Sequence, residues 1–375
     1  MKFLYIISLV CLLLTTKVTG SEMRSLEVNS KLSDQQLSVP IYLPSSYTNK
    51  VKKHYPIFIT TAGKSREKVV LEQVNWLSHV DFAPIPEVIQ VVLPSIDLTQ
   101  AGDKLAKAAG TANKLTAEVL VKEILPAIDN KYRTTGYRVV EGFSSWGNFP
   151  LYLLRHYSAE FNAFLVFSPA LELDKSGLVD SFSEPWLLSE ERRHFVYLSL
   201  GTFTGNKPLY LQLSKNLSDK QNSSSLEFVQ RDMSKENYLS GPNIGLVHAS
   251  QVLFSDLQPD YSKFHQGGIS ALSEYFKKLS DKYFVEIDLA SKMVDLSFSY
   301  ANEDKYEQAI KTLTAVIATD KSNVLYRVRL AQIQLQAKYN DEALKTLAKA
   351  RKLAQQSNND EALNYIEQLA TNATR

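Results

Sequence analysis

Cysteine is almost missing from this chain of 375 residues; Cys11 is the only one. Glycine and proline stop early, at Gly268 and Pro259, and neither recurs over the last hundred residues. Neither sign of charge dominates, with a formal net charge of +2. After the first fourteen residues no apolar run is long enough to span a bilayer. At the start, Lys2 precedes the apolar run Phe3 to Leu14, and Val18, Thr19 and Gly20 offer small residues for cleavage. This is the pattern of a secretory signal peptide over residues 1–20, so the chain is expected to be exported, to a periplasm or the exterior. Cys11 lies inside the run rather than after it, which argues against a lipid anchor.

Cleavage removes Cys11, and a mature chain without cysteine excludes disulfides, thiolate catalysis and cysteine-held metal. It also removes Lys2 and Lys17, leaving the 40 acidic residues balanced. A neutral chain without a basic run gives no electrostatic case for nucleic acid or for an anionic membrane surface. No histidine–carboxylate spacing suggests a metal, and no cofactor is expected.

Between residues 21 and 285, apolar runs alternate with helical spacing. Leu37 to Leu43, Tyr55 to Thr61, Val88 to Leu93, Tyr137 to Val140, Ala163 to Phe167 and Phe195 to Leu200 read as strands, with Leu226 to Gln230 a weaker candidate. Several are apolar on both faces, as in buried parallel strands. Thr116 to Tyr132 and Gly147 to His156 read as helices. The alternation predicts an α/β sheet with helices on both faces.

From 286 to 375 helix formers dominate. Gln308-Ala-Ile-Lys-Thr-Leu313 recurs as Glu342-Ala-Leu-Lys-Thr-Leu347, and Leu296 and Ser297 match Leu330 and Ala331 at the same offset. The shared offset is the tetratricopeptide period. The segment resembles two tetratricopeptide units, 290–322 and 324–356, with a closing helix over 360–370. Ala309, Ala343 and Ala350 let paired helices approach closely. So few units are marginal alone, which predicts packing on the first domain, self-association or a protein partner.

Within the α/β part, residues 142–147 read Gly-Phe-Ser-Ser-Trp-Gly. A nucleophilic serine in an α/β hydrolase sits on a strained strand-to-helix turn, with small residues two before and two after it, and the next N–H donates to the developing oxyanion. Gly142 meets the first requirement and Ser145 supplies the N–H. Trp146 stands where the second small residue belongs, and Gly147 comes one place late. On its own such a string is more often a plain loop than a nucleophile turn.

Its flanks add to this. Ala109-Gly110, Lys122-Glu-Ile-Leu-Pro126, Lys131-Tyr-Arg-Thr134, Arg138, Gly142-Phe-Ser144 and Phe161 to Pro169 resemble, in order and spacing, the esterase family that includes esterase D and the enterochelin esterases. Tyr55 to Gly63 and Asp97 to Thr99 extend the likeness, from about Leu37 to Tyr283. The resemblance implies an α/β-hydrolase fold and cleavage of a carboxylic ester, of siderophore or simple acyl type. It places Ser144 as nucleophile and His248 as base, with His265 the rival. The oxyanion would be held by the Ser145 N–H and an N–H near Gly63; Trp146, a departure from the family, would either line the pocket or fill it.

Three family positions differ: Ala62 replaces an aspartate, Phe143 a residue that is often histidine, and Trp146 a glycine. No carboxylate follows Phe195 to Leu200, where the orienting acid is expected. Asp219, Asp232 and Glu236 remain open for that role, as does a Ser–His pair without an acid. The alternative reading is therefore a catalytically impaired hydrolase fold that binds partners through its helical repeats.

Overall fold

A computed structural model describes residues 22–61, 64–79, 83–97, 111–174, 176–190, 192–202, 204–221 and 226–373. The expected signal peptide, and Gly63, lie outside the described residues. By its internal contacts the chain divides into two units: residues 22–258 with 282–285, and residues 259–281 with 286–373.

The first unit is built on an eight-stranded sheet. Its strands are β1 (Glu22–Ser30), β2 (Gln35–Leu43), β3 (Tyr55–Thr60), β4 (Ile89–Val92), β5 (Thr134–Phe143), β6 (Ala163–Phe167), β7 (His194–Leu200) and β8 (Leu226–Asp232). They lie in the order β1-β2-β4-β3-β5-β6-β7-β8. β1 and β2 run antiparallel, β2 meets β4 antiparallel, and the strands from β4 to β8 are parallel. The parallel strands β3, β4, β6 and β7 are buried at every residue. That is why they read as unbroken apolar runs.

β1 escapes the sequence reading. Its first half is exposed, so only Leu26, Val28 and Ser30 carry an inward alternation. It forms because β2 offers a free antiparallel edge over its full length.

Helices cover both faces. α1 (Lys64–His79) and α7 (Gly241–Leu253) touch one another; α2 (Thr111–Val119), α4 (Asn148–His156), α5 (Leu178–Ser181) and α6 (Lys207–Gln221) form the other chain of contacts. A π turn over Leu120–Ile124 joins α2 to α3 (Leu125–Lys131), where Pro126 follows at the new start. The architecture is an α/β-hydrolase sheet: the alternation of runs predicts its α/β class, and the family resemblance implies the hydrolase fold.

The second unit is helical throughout: α8 (Gly268–Tyr283, up to Asp281), α9 (Leu289–Asn302), α10 (Tyr306–Thr319), α11 (Val324–Gln336), α12 (Asn340–Gln356) and α13 (Asp360–Ala373). Residues 259–281 belong here rather than with the sheet domain to which the sequence pattern assigns them. Tyr261 donates to Asp295 at 2.9 Å, and the His265 Nε2 and Ser299 hydroxyl are 3.0 Å apart, both ties to α9.

The repeat is visible atom by atom. Ala309 and Ala343, Leu313 and Leu347, and Val316 and Ala350 are paired at the repeat offset and all buried. Each helix pair turns through a left-handed residue, Asp304 (φ 59°) and Lys338 (φ 64°). The next residue then donates back to the helix, Lys305 to the Tyr300 carbonyl at 3.0 Å and Tyr339 to the Gln334 carbonyl at 2.8 Å. Glycine is the usual choice at such a helix end, since a side chain there is strained. The absence of glycine after Gly268 therefore leaves stability unrealised. Lys338 is exposed, and Lys338→Gly is expected to raise the stability of the helical unit by about 1 kcal/mol. Thermal melting followed by circular dichroism checks this.

Candidate active site

Ser144 directly follows β5 and opens the short 3-10 turn Ser144–Gly147 that leads into α4. Its φ is 60°, a left-handed conformation that a serine adopts at a cost of about 1–2 kcal/mol. Around it the backbone is crowded. A Cβ on Gly142 would lie 2.2 Å from the Trp146 carbonyl oxygen, and one on Gly147 would lie 2.8 Å from the Pro169 Cα. No side chain fits at either place. Gly147 thus allows the turn to pass close to the loop after β6, while Trp146 is half-buried with its ring edge-on to Phe149 at 6.2 Å.

That neighbouring loop holds the turn. The Ala170 N–H donates to the Ser144 carbonyl at 2.9 Å, and the Asn148 amide donates to the Ala170 carbonyl at 2.9 Å. On the other side, the Thr61 N–H and hydroxyl both donate to the Glu141 carbonyl. Ser145 is exposed at the mouth.

Beneath the turn lies a buried ion pair. Glu141, fully buried on β5, accepts from Arg66 of α1 at 2.5 Å and also from the Thr60 hydroxyl. The guanidinium carbon of Arg66 is 5.7 Å from the Phe143 ring centre and 5.5 Å from that of Phe167, and Arg66 also donates to the Pro242 carbonyl at 3.5 Å. This network ties α1 and α7 to the strand that carries Ser144.

The Ser144 hydroxyl oxygen accepts a hydrogen bond from the Tyr238 hydroxyl at 2.8 Å, and among the described residues that is its side-chain partner. Tyr238 is half-buried, with its ring 5.0 Å from that of Phe143. It lies between β8 and α7, in a loop pinned to the sheet by the Met233 N–H on the Leu200 carbonyl at 2.8 Å.

His248 stands elsewhere, on α7. Its Nδ1 is 3.2 Å from the Tyr197 hydroxyl, and among the described residues no hydrogen bond joins it to Ser144 or to a carboxylate. The strand register explains why. Tyr197 pairs with Leu165, which pairs with Glu141, three residues before Ser144. At 3.3 Å per residue that is roughly 10 Å down the strands. One turn earlier on α7, Gly245 packs against Phe167, where a Cβ would come within 2.9 Å of the ring, so α7 lies flat on the sheet. Burial, and then the nearby Arg231 charge, hold the His248 imidazole below its usual range. An orienting carboxylate would act in the opposite sense.

His265, the rival, belongs to the helical unit. There it stacks on Tyr300 at 4.3 Å and its Nδ1 is 3.0 Å from Lys305. The open carboxylates are also committed elsewhere: Asp219 pairs with Lys215 at 2.7 Å and Asp232 accepts from the Ser234 N–H at 2.8 Å. Glu236 lies two residues before Tyr238, with its Cβ 3.7 Å from the position a Gly241 Cβ would take. Among the described residues no group of histidine and carboxylate side chains is placed to hold a metal ion.

Set beside known proteins, residues 30–236, more than half of the chain, match the family model described as Putative esterase. The chain belongs to the Putative esterase family. A tetratricopeptide repeat model matches residues 301–364. The esterase match ends two residues before Tyr238 and does not reach His248.

Among solved structures, the chain is similar to an IroE-like serine hydrolase from Shewanella oneidensis, at a TM-score of 0.62 and 19% identity, covering 79% of this chain and 98% of that one. It is also similar to an uncharacterised protein from Capnocytophaga ochracea, at a TM-score of 0.59 and 16% identity, covering 94% and 99%. At these identities the likeness shows the fold. No curated protein matches the chain.

Tyr238 and the Arg66–Glu141 pair are the site features that sequence reasoning missed. Glu141 had a signal, a lone carboxylate inside the apolar run Tyr137 to Phe143. Tyr238 had none, being one of 19 tyrosines.

The buried pair makes a stability prediction. Glu141→Ala leaves Arg66 uncompensated and is expected to cost about 3–5 kcal/mol. Glu141→Leu combined with Arg66→Met is expected to recover much of that loss. All three tryptophans, Trp76, Trp146 and Trp186, lie in this unit, so urea unfolding followed by tryptophan fluorescence reads it directly.

Proposed function

We propose that this member of the Putative esterase family is an exported carboxylic ester hydrolase that works through an acyl-enzyme on Ser144. The observation that carries the reading is the left-handed Ser144 at the strand-to-helix turn after β5. A serine held in that strained geometry, with its hydroxyl lifted off the sheet edge, is the arrangement acyl transfer uses. Attack of Oγ on the ester carbonyl gives a tetrahedral oxyanion. The Ser145 N–H, with an N–H near Gly63, would receive that charge. Expulsion of the alcohol leaves the acyl group on Ser144, and water releases it. The described name of the Shewanella relative, a serine hydrolase, agrees with this chemistry.

The half-buried Phe143 and Trp146, and the exposed Leu239 next to Tyr238, give the surroundings an apolar character. They suit an acyl or aromatic ester, of siderophore or simple acyl type. Export rests on residues 1–20. Among the described residues no helix is long and apolar enough to cross a membrane. The tetratricopeptide repeats serve a protein partner or self-association.

The second reading, a hydrolase fold that binds without turning over, is favoured by one observation: Ser144 meets a tyrosine where a triad has a histidine.

A fluorophosphonate probe separates the two. On the ester hydrolase reading it labels the mature chain at Ser144, mapped by mass spectrometry, and Ser144→Ala abolishes labelling. Folded protein that stays unlabelled across neutral and alkaline pH supports the binding reading instead.

A further inference from the structure

We infer that Tyr238 is a catalytic residue that takes the place of histidine as the group exchanging a proton with Ser144. The inference rests on the reading of Ser144 as the nucleophile. Its warrant is position: the Tyr238 hydroxyl is 2.8 Å from Oγ, on the loop after the last strand, later in the chain than the nucleophile. A base must lie within hydrogen-bond reach of the proton it removes, and geometry decides before acidity. His248 is engaged with the hydroxyl of Tyr197, whose backbone lies level with Glu141, three residues before Ser144.

The position of the proton matters. As drawn by the geometry, the phenol donates to Oγ, so a lone pair of the nucleophile is engaged and the serine is at rest. Loss of the phenolic proton to solvent reverses the bond. The phenolate then takes the Ser144 proton as Oγ forms its bond to the carbonyl carbon, and the π electrons move to the carbonyl oxygen. When the carbonyl re-forms, the ester C–O bond breaks and the phenol returns the proton to the departing alkoxide. In the second half, the phenolate takes a proton from water as its oxygen attacks the acyl carbon. Ser144 leaves and is reprotonated by the phenol. The sum is ester plus water giving acid plus alcohol.

A phenol acts as a base only after losing its proton, so the competent form is favoured by rising pH. This differs from a histidine enzyme, whose base is already free near neutrality. The charged groups on the elements around Tyr238 are Arg66 from α1, paired with Glu141 of β5, and Lys235 and Glu236 on its own loop; α7 contributes the Pro242 carbonyl that Arg66 reaches.

The test uses the full mature chain and p-nitrophenyl acetate, with release of nitrophenol and the mass of the acylated protein as readouts. Acylation of Ser144 is expected to climb from about pH 6 to about pH 9 without a plateau near neutrality. Tyr238→Phe, which keeps the ring against Phe143, is expected to lower the rate about 100-fold or more and to remove the climb. Difluorotyrosine at position 238, a more acidic phenol of similar shape, is expected to move the whole profile down by at least about one pH unit.

A Tyr238→Phe protein that is acylated as fast as the parent, or faster, overturns the inference while leaving Ser144 as nucleophile. So does a profile that difluorotyrosine does not move. Absence of Ser144 acylation in every folded variant at every pH overturns the nucleophile reading, and the inference falls with it.

Discussion

Everything at the candidate site follows from one tight turn, in which the chain leaves β5, reverses through a left-handed serine and enters α4. The turn closes so tightly that the Trp146 carbonyl sits where a side chain at 142 would be, and Pro169 where one at 147 would be. Two glycines are therefore required by volume. The strain at Ser144 is held in place by hydrogen bonds from both neighbouring loops, Ala170 on one side and Thr61 with Glu141 on the other. Strained backbone persists only where surrounding structure determines it so fully. Beneath, the buried Arg66–Glu141 pair fixes two helices to the same strand, which keeps the turn and the Tyr238 loop attached to one rigid support.

Such a turn sets the hydroxyl of Ser144 but leaves its proton to another element. In this chain α7 lies flat on the sheet because Gly245 meets the Phe167 ring. That packing carries His248 down to Tyr197 and leaves the rim of the sheet to the loop before α7, where Tyr238 reaches the serine. The histidine that resemblance nominates is thus a residue on the sheet face, its imidazole held below the usual range by burial and by Arg231. Whatever chemistry the serine performs, its first partner is a phenol.

The fold was legible because its signals are local. Buried parallel strands such as Ala163–Phe167 announce themselves as apolar runs, and the tetratricopeptide offset repeats whole hexamers. β1 was not legible, since half of it is exposed and only its partner β2 makes it a strand. Residues 259–281 read with the sheet because no change of composition marks the boundary; their ties to α9, through Tyr261 and His265, are contacts between distant positions. The site was half legible. Gly142 and Ser144 could be read from their order along the chain, and Gly147 turned out to take the close approach that Trp146 does not. Tyr238 could not be read, because hydrogen-bond reach to Ser144 over more than ninety residues depends on loop geometry that residue type does not encode.

The repeats follow a different economy. Their turns use Asp304 and Lys338 in the left-handed region where glycine is easier, and their seams are packed with buried alanines. Close helix packing compensates for strained ends, so the repeats after Gly268 hold together without further glycine or proline. For the chain as a whole, the claim that matters most is that the turn at Ser144 presents a nucleophile with Tyr238 on it. The most direct measurement is a crystal structure of the mature protein after reaction with an aryl phosphonate. The result predicted here has phosphorus bonded to Ser144 Oγ, a left-handed Ser144, a phosphoryl oxygen facing the Ser145 N–H, and the Tyr238 hydroxyl within hydrogen-bond reach. An unmodified Ser144 with the reagent bonded elsewhere, or a turn relaxed to negative φ with His248 on the serine, would contradict it.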